Sequence, residues 1–343
     1  MTGRTLVYVA CAGSCEIHSF NLDADGALKP ADVVTVPGGS GPSPSNLPLA
    51  FAPDRRRLYA ALRMAPFAVS SFAIDAVSGT LTCRSTAPLP APMAYISVSR
   101  DGGALMGASY KDGKIAVSEI TLGDVQAHAT QVVPTPPKAH CIIPGRTPGI
   151  VYATTVDGNA IMVFRQDAAG HLSPADPHLV GLRPGAGPRH LALHPTLDVL
   201  YCVNELGGTL TAFTIHKDGA LRELQDEALT PPGFQGNARA ADLHVTANGR
   251  FAYASVRNTD AIAAFRIDKS GRLTLVGRFD VEKSPRAFGL DPEGHFLICA
   301  GQDDNVIAVY EIDPASGALT ARNRLTVAGN PSWIETLNLP VTP

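Results

Sequence analysis

The chain has 343 residues, 45% hydrophobic and 17% charged, with a formal net charge of −3. This composition suits a protein in water with a large apolar core, and it supplies no basic excess for nucleic acid and no run near the ~18 apolar residues of a membrane span. The six cysteines (Cys11, Cys15, Cys83, Cys141, Cys202 and Cys299) show neither disulfide-framework nor zinc spacing, so they are expected to be buried thiols of a cytoplasmic protein.

From the N-terminus, the first predicted element is a strand over Leu6 to Ala12. The tract follows a lone Arg4 and imitates a stunted signal peptide, with Cys11 or Cys15 in the place of a lipid-anchor cysteine. It is too short and starts too early for that, and it matches strands found later in the chain. The apolar pair Val7-Tyr8 returns as Leu58-Tyr59, Leu105-Met106, Val151-Tyr152, Leu200-Tyr201, Ala252-Tyr253 and Leu297-Ile298, at spacings of 45 to 52 residues. A strand alternating at period two follows, as in Ser71-Phe72-Ala73-Ile74 and Ala264-Phe265-Arg266-Ile267. Gly-x-Leu turns then begin at Gly26, Gly79, Gly170, Gly219, Gly271 and Gly317, while the third repeat has Gly123-Asp124-Val125 instead. A proline-containing segment and one more strand, ending in a turn such as Asp101-Gly102 or Asn248-Gly249, complete each unit.

Seven four-stranded units with hardly any helical periodicity predict an all-β, seven-bladed propeller forming one domain over 1–343. The chain opens on the second strand of a unit and closes on a leftover first strand. Residues 331–338 are therefore expected to pair with 5–11 and complete the seventh blade, leaving no free edge.

The repeat register gives polar residues an address. In the stretch 187–205, Leu191 to His194 runs out, Pro195 to Asp198 turns, and Val199 to Val203 returns, which brings Arg189 and His190 near Asn204 and Glu205. Twelve positions before the repeat anchors lie Leu47, Ala94, His140, Arg189, Ala241 and Arg286. Four positions after them lie Ala12, Arg63, Tyr110, Val156, Glu205, Arg257 and Gln302. In a propeller both sets fall on one rim of the central channel. Arg257 and Arg286 offer bidentate forks for phosphate or carboxylate, and Arg189 can do the same or stabilise an oxyanion. Glu205 among these cations stays ionised and able to take a proton, and His140 can act as acid, base or donor. Asp242 and His244 alternate on one face, either at the site or as a structural relay between blades. His194 is expected at the surface, Arg55-Arg56-Arg57 in a solvated turn on the opposite face, and Trp333 in blade core. No metal site, phosphate loop or nucleophile elbow is expected.

Gly-Pro-Arg-His-Leu at 187–191, Tyr-Cys-Val-Asn-Glu-Leu at 201–206, Ala-Ala-Asp-Leu-His-Val-Thr at 240–246, Ala-Ser-Val-Arg-Asn at 254–258, Pro-Arg-Ala-Phe at 285–288 and Ala-Gly-Gln-Asp-Asp-Asn at 300–305 resemble the seven-bladed propeller lactonases. That family includes bacterial 6-phosphogluconolactonases and is similar to fungal enzymes that interconvert carboxymuconate with its lactone. The resemblance implies a cofactor-free enzyme with a site at His140, Arg189, Glu205 and Arg257. Arg286, His190, Asn204, Asp242, His244 and Gln302 are expected to bind substrate. The first expectation is hydrolysis of an anionic sugar-acid lactone, led by 6-phosphogluconolactone, by a monomer without nucleic-acid or membrane partners. Cycloisomerisation of a carboxymuconate and a non-catalytic binding module are the alternatives, and segment 232–239 is a candidate lid.

Overall fold

The computed structural model describes residues 4–39, 41, 45–327 and 329–339. Among them, 28 strands form seven four-stranded antiparallel sheets, and no helix is long and apolar enough to cross a membrane. Blades 1 to 6 span 49–88, 95–134, 139–181, 188–228, 240–280 and 285–326, and blade 7 joins Pro331–Leu339 to the three strands of 4–35. Innermost strands of successive blades touch in order, and Pro331–Leu339 reaches both Pro285–Leu290 and Leu49–Phe51, so the sheets close a ring. The closing register pairs Thr5 with Asn338, Val7 with Thr336 and Val9 with Ile334. The expected pairing of 331–338 with 5–11 is thus the one observed.

Burial explains the strand compositions. The second strand of each blade is covered on both faces by neighbouring blades, so Val199–Asn204 and Phe251–Val256 are buried throughout. The outermost strands meet water and carry charge, as in Leu28–Thr35 and Leu319–Thr326. Between blades 6 and 7, for example, Phe296, Ile298, Ile307 and Val309 pack on Val7, Val9, Phe20 and Leu22.

The recurring tyrosine is more than an apolar anchor. Tyr8, Tyr59, Tyr152, Tyr201 and Tyr253 each donate a hydroxyl hydrogen bond to the carbonyl of a turn glycine in the next blade: Gly79, Gly123, Gly219, Gly271 and Gly317, at 2.6 to 3.0 Å. These glycines hold φ between 74° and 89°, a region closed to most side chains. Gly123 reaches the same conformation although its sequence departs from the pattern. Met106 and Ile298 replace the tyrosine in blades 2 and 6, which lack this bond.

Two expectations are corrected here. His194 is buried, at 4% exposure, because its turn packs against that of the next blade. Its Nδ1 accepts from the amides of Thr196 and Leu197, so its Nε2 donates to the carbonyl of Gly249 at 3.0 Å. Trp333 is only half-buried: it packs against the core between blades 7 and 1 and also lines two cavities, edge-on to Tyr95 at 5.2 Å, because innermost strands turn alternate residues toward the axis. Arg55 and Arg56 are exposed as expected, and all six cysteines are free, with Cys83 only half-buried.

Candidate active site

The site begins with a repeated irregularity. Each of the innermost strands of blades 3 to 6 starts with a bulge: the register slips between Ala139 and Ile142, Pro188 and His190, Ala240 and Leu243, and Pro285 and Ala287. A bulge places an extra residue off the ladder and re-aims its side chain. His140, Arg189, Asp242 and Arg286 occupy these slips. The freed backbone groups find side-chain partners: Thr154 Oγ accepts from the amide of Cys141 and donates to the carbonyl of Arg189, and Ser255 Oγ accepts from the amide of Asp242. Gly187 enters the blade 4 bulge at φ +68°, where an added Cβ would meet Leu206, and its carbonyl accepts from the Glu205 amide at 2.7 Å.

A cavity of about 190 Å³ opens at this end of the channel, lined by Ser45, Arg63, Ala94, Tyr110, His140, Arg189, Glu205, Arg239, Arg257 and Arg286. Glu205 is held between two cations: Arg257 Nη2 donates to its Oε1 at 2.8 Å, and Arg189 Nε lies 3.3 Å from its Oε2, an ion pair without hydrogen-bond alignment. Arg257 Nε also donates to the carbonyl of Arg239. Burial pushes the Glu205 carboxyl up, and Arg189 and Arg257 outweigh it, so the group sits below the usual range and stays ionised.

Five arginines face one carboxylate, and the surplus is visible in their chemistry. Burial, then Arg189, brings Arg63 down to about 10; the same two causes bring Arg257 to about 10, with Glu205 opposing. Arg286 makes no hydrogen bond or ion pair with any described residue, and burial with Arg189, Arg257 and Arg63 around it pulls it well below the ordinary arginine value. His140, 3% exposed, is kept neutral by burial and by Arg189, and its Nδ1 has no hydrogen-bond partner among the described residues. A pocket with excess desolvated cations is built to receive an anion.

His140, Arg189, Glu205, Arg257 and Arg286 therefore converge, as the repeat register predicts. Gln302 lies outside the lining: its Nε2 donates to the carbonyl of Ser45 and to Asn330 Oδ1, tying the rim together. Asn204 is wholly buried within blade 4, donating to Thr209 and Thr211, because it ends a strand covered on both faces. His190, Asp242 and His244 line a separate cavity of about 230 Å³ with Tyr95, Trp333 and Glu335, deeper in the channel. There Asp242 links blades: its Oδ1 accepts from His190 of blade 4 and its Oδ2 from the Phe288 amide of blade 6, the relay arrangement. Segment 232–239 borders the pocket through Arg239, tethered by Asn258 Nδ2 donating to the carbonyl of Asn237. Arg239 escaped the sequence reading because it lies outside the repeat positions, whereas Arg63 and Tyr110 stand on them. A larger cavity, about 380 Å³, opens at the opposite mouth beside Arg55, Arg100 and Glu335, without comparable convergence. Among the described residues, no three His, Cys, Asp or Glu side chains gather as a metal site would require.

Residues 7–336 match the family model described as Lactonase, 7-bladed beta-propeller. The chain belongs to that lactonase family. The lactonase is 38% identical over 336 residues to a 6-phosphogluconolactonase of Yersinia pseudotuberculosis, covering 96% of this chain and 97% of the relative. It is 36% identical to one from Serratia proteamaculans, covering 97% and 99%. Among solved structures it resembles the periplasmic gluconolactonase of Pseudomonas aeruginosa, at TM-score 0.90 and 30% identity over 99% of this chain and all of that one.

Proposed function

We propose that the lactonase hydrolyses 6-phosphogluconolactone to 6-phosphogluconate in this pocket. The observation that carries the phosphorylated substrate is Arg286, a desolvated cation with no partner among the described residues, beside Arg63 and Arg257. The phosphate occupies that cationic side. The lactone carbonyl lies against Arg189, whose Nη2 has no partner among the described residues and donates to the oxyanion as water adds. Glu205 takes a proton from the attacking water. The ring carbon–oxygen bond then breaks, the proton passes to the departing ring oxygen, His140 steadies that oxygen by a hydrogen bond, and the new carboxylic acid releases its proton to solvent. Substrate charge assists: a bound phosphate offsets the cations that depress Glu205 and makes it a better base.

A monomer in the cytoplasm fits this reading. The ring pairs its own edges, and free thiols suit a reducing compartment. The test is lactone hydrolysis by parent and Glu205→Gln proteins, followed by acid release and corrected for spontaneous opening. The parent is expected to prefer the phosphorylated lactone and the variant to lose at least about 100-fold in kcat. Parent-like turnover by a folded Glu205→Gln protein removes Glu205 from the chemistry, and turnover of carboxymuconate without lactone hydrolysis overturns the proposed reaction.

A further inference from the structure

Arg189 is gripped from behind. His190 Nε2 lies 3.0 Å from Arg189 Nη1, and His190 Nδ1 lies 2.8 Å from Asp242 Oδ1. The two ends dictate the imidazole tautomer. A carboxylate only accepts, so Nδ1 carries the hydrogen; a guanidinium only donates, so Nε2 offers its lone pair. Neither ring nor carboxylate has room to turn. His190 is 5% exposed and packed edge-on by Tyr95 at 5.1 Å and His140 at 5.2 Å. Asp242 also accepts from the amides of Leu243 and Phe288, and its Oδ2 lies 3.3 Å from His244 Nε2. The carbonyl of Ala241 takes a further bond from Arg189 Nη1.

We infer that Asp242 and His190 are positioning residues that act through Arg189: the carboxylate fixes the imidazole, and the imidazole fixes the guanidinium, leaving Nη2, which bonds no described residue, for substrate. Resting on the lactonase reading of the pocket, this assigns the Asp–His pair to catalysis without contact with the reacting atoms. It also explains why an Asp-x-His motif outside the pocket lies on the back of its most enclosed arginine. Asp242→Asn leaves one acceptor oxygen where the His190 ring and the amides of Leu243 and Phe288 all donate, so either the ring or an amide loses its partner and the grip on Arg189 loosens.

The experiment measures kcat and KM for Asp242→Asn, His190→Gln and His190→Phe, each also in an Arg189→Lys background, with histidine nitrogen NMR on parent and Asp242→Asn proteins. Asp242→Asn and His190→Phe are expected to lose about 10- to 100-fold in kcat with much smaller changes in KM, the usual scale for supporting partners. His190→Gln, which can accept from Arg189 and donate to Asp242, keeps most of the activity. In the Arg189→Lys background Asp242→Asn adds little. Equal, additive losses in both backgrounds overturn the inference. The NMR arm does not depend on turnover: a neutral His190 with its hydrogen on Nδ1 at pH 7 supports the relay, and a ring protonated on both nitrogens, or on Nε2 alone, overturns it. A parent protein inactive on every lactone, with the Nδ1–H form present, defeats the proposed function while leaving the relay standing.

Discussion

Arg286→Met is expected to leave the empty protein at least as stable and make the enzyme worse. Half-buried Arg286 has no carboxylate partner among the described residues, and its guanidinium faces Arg189, Arg257 and Arg63. Replacing buried ionic groups with apolar side chains of similar volume is neutral or stabilises proteins by up to about 4 kcal/mol. At about 2.1 cal/mol/K per residue, unfolding entropy for a chain of 343 residues is roughly 0.7 kcal/mol/K, so the melting temperature holds or rises by up to about 6 °C. Binding moves the other way. A charge-assisted contact to phosphate contributes about 1.5–3 kcal/mol, so KM for 6-phosphogluconolactone rises roughly 10- to 150-fold, while an unphosphorylated gluconolactone is nearly unaffected. Differential scanning fluorimetry with and without inorganic phosphate reads the first effect, and paired lactone kinetics read the second. A clear fall in the melting temperature without ligand, or unchanged preference between the two lactones, refutes the account of Arg286 as an anion receptor.

Tyr201→Phe removes the hydroxyl that reaches the Gly271 carbonyl at 2.9 Å and should cost about 1 kcal/mol in urea unfolding, with activity retained; an unchanged midpoint denies the latch its role. Deleting 331–343 strips the innermost strand of blade 7 and exposes Val7 and Val9, so cooperative unfolding should vanish; a sharp transition near the parent temperature counts against ring closure. Stability should decline as pH falls below about 6.5. Burial and Arg189 hold His190 at about 4 in the folded protein, and His140 is also held low, so the unfolded chain binds protons first, at up to about 1.4 kcal/mol per pH unit per histidine. That loss is complete for His190 once pH passes below about 4, and His190→Gln should flatten the slope; an unaltered slope assigns the acid sensitivity elsewhere.

The site was legible to the extent that it follows the repeat. His140, Arg189, Arg286, Glu205 and Arg257 stand at fixed offsets from apolar anchors, and a ring of similar sheets brings equal offsets to one mouth. Arg239 lies on a connecting segment with no such register, and only the fold carries it there. Asn204 has a rim-like sequence position yet points into blade 4, since a one-residue step in a strand reverses the face.

What the sequence determined by itself was periodic: seven units, four strands in each, closure through 331–338, and the family to which the chain belongs. Periodicity suffices for these because covering both faces of every sheet demands a next copy. Tertiary structure alone decided the non-periodic features. It put the bulges under His140, Arg189 and Arg286, set His190 and Asp242 behind Arg189, and left Arg286 without a partner among the described residues. Those outcomes depend on backbone slips and on neighbours from different blades, and neither leaves a mark at any fixed spacing along the chain.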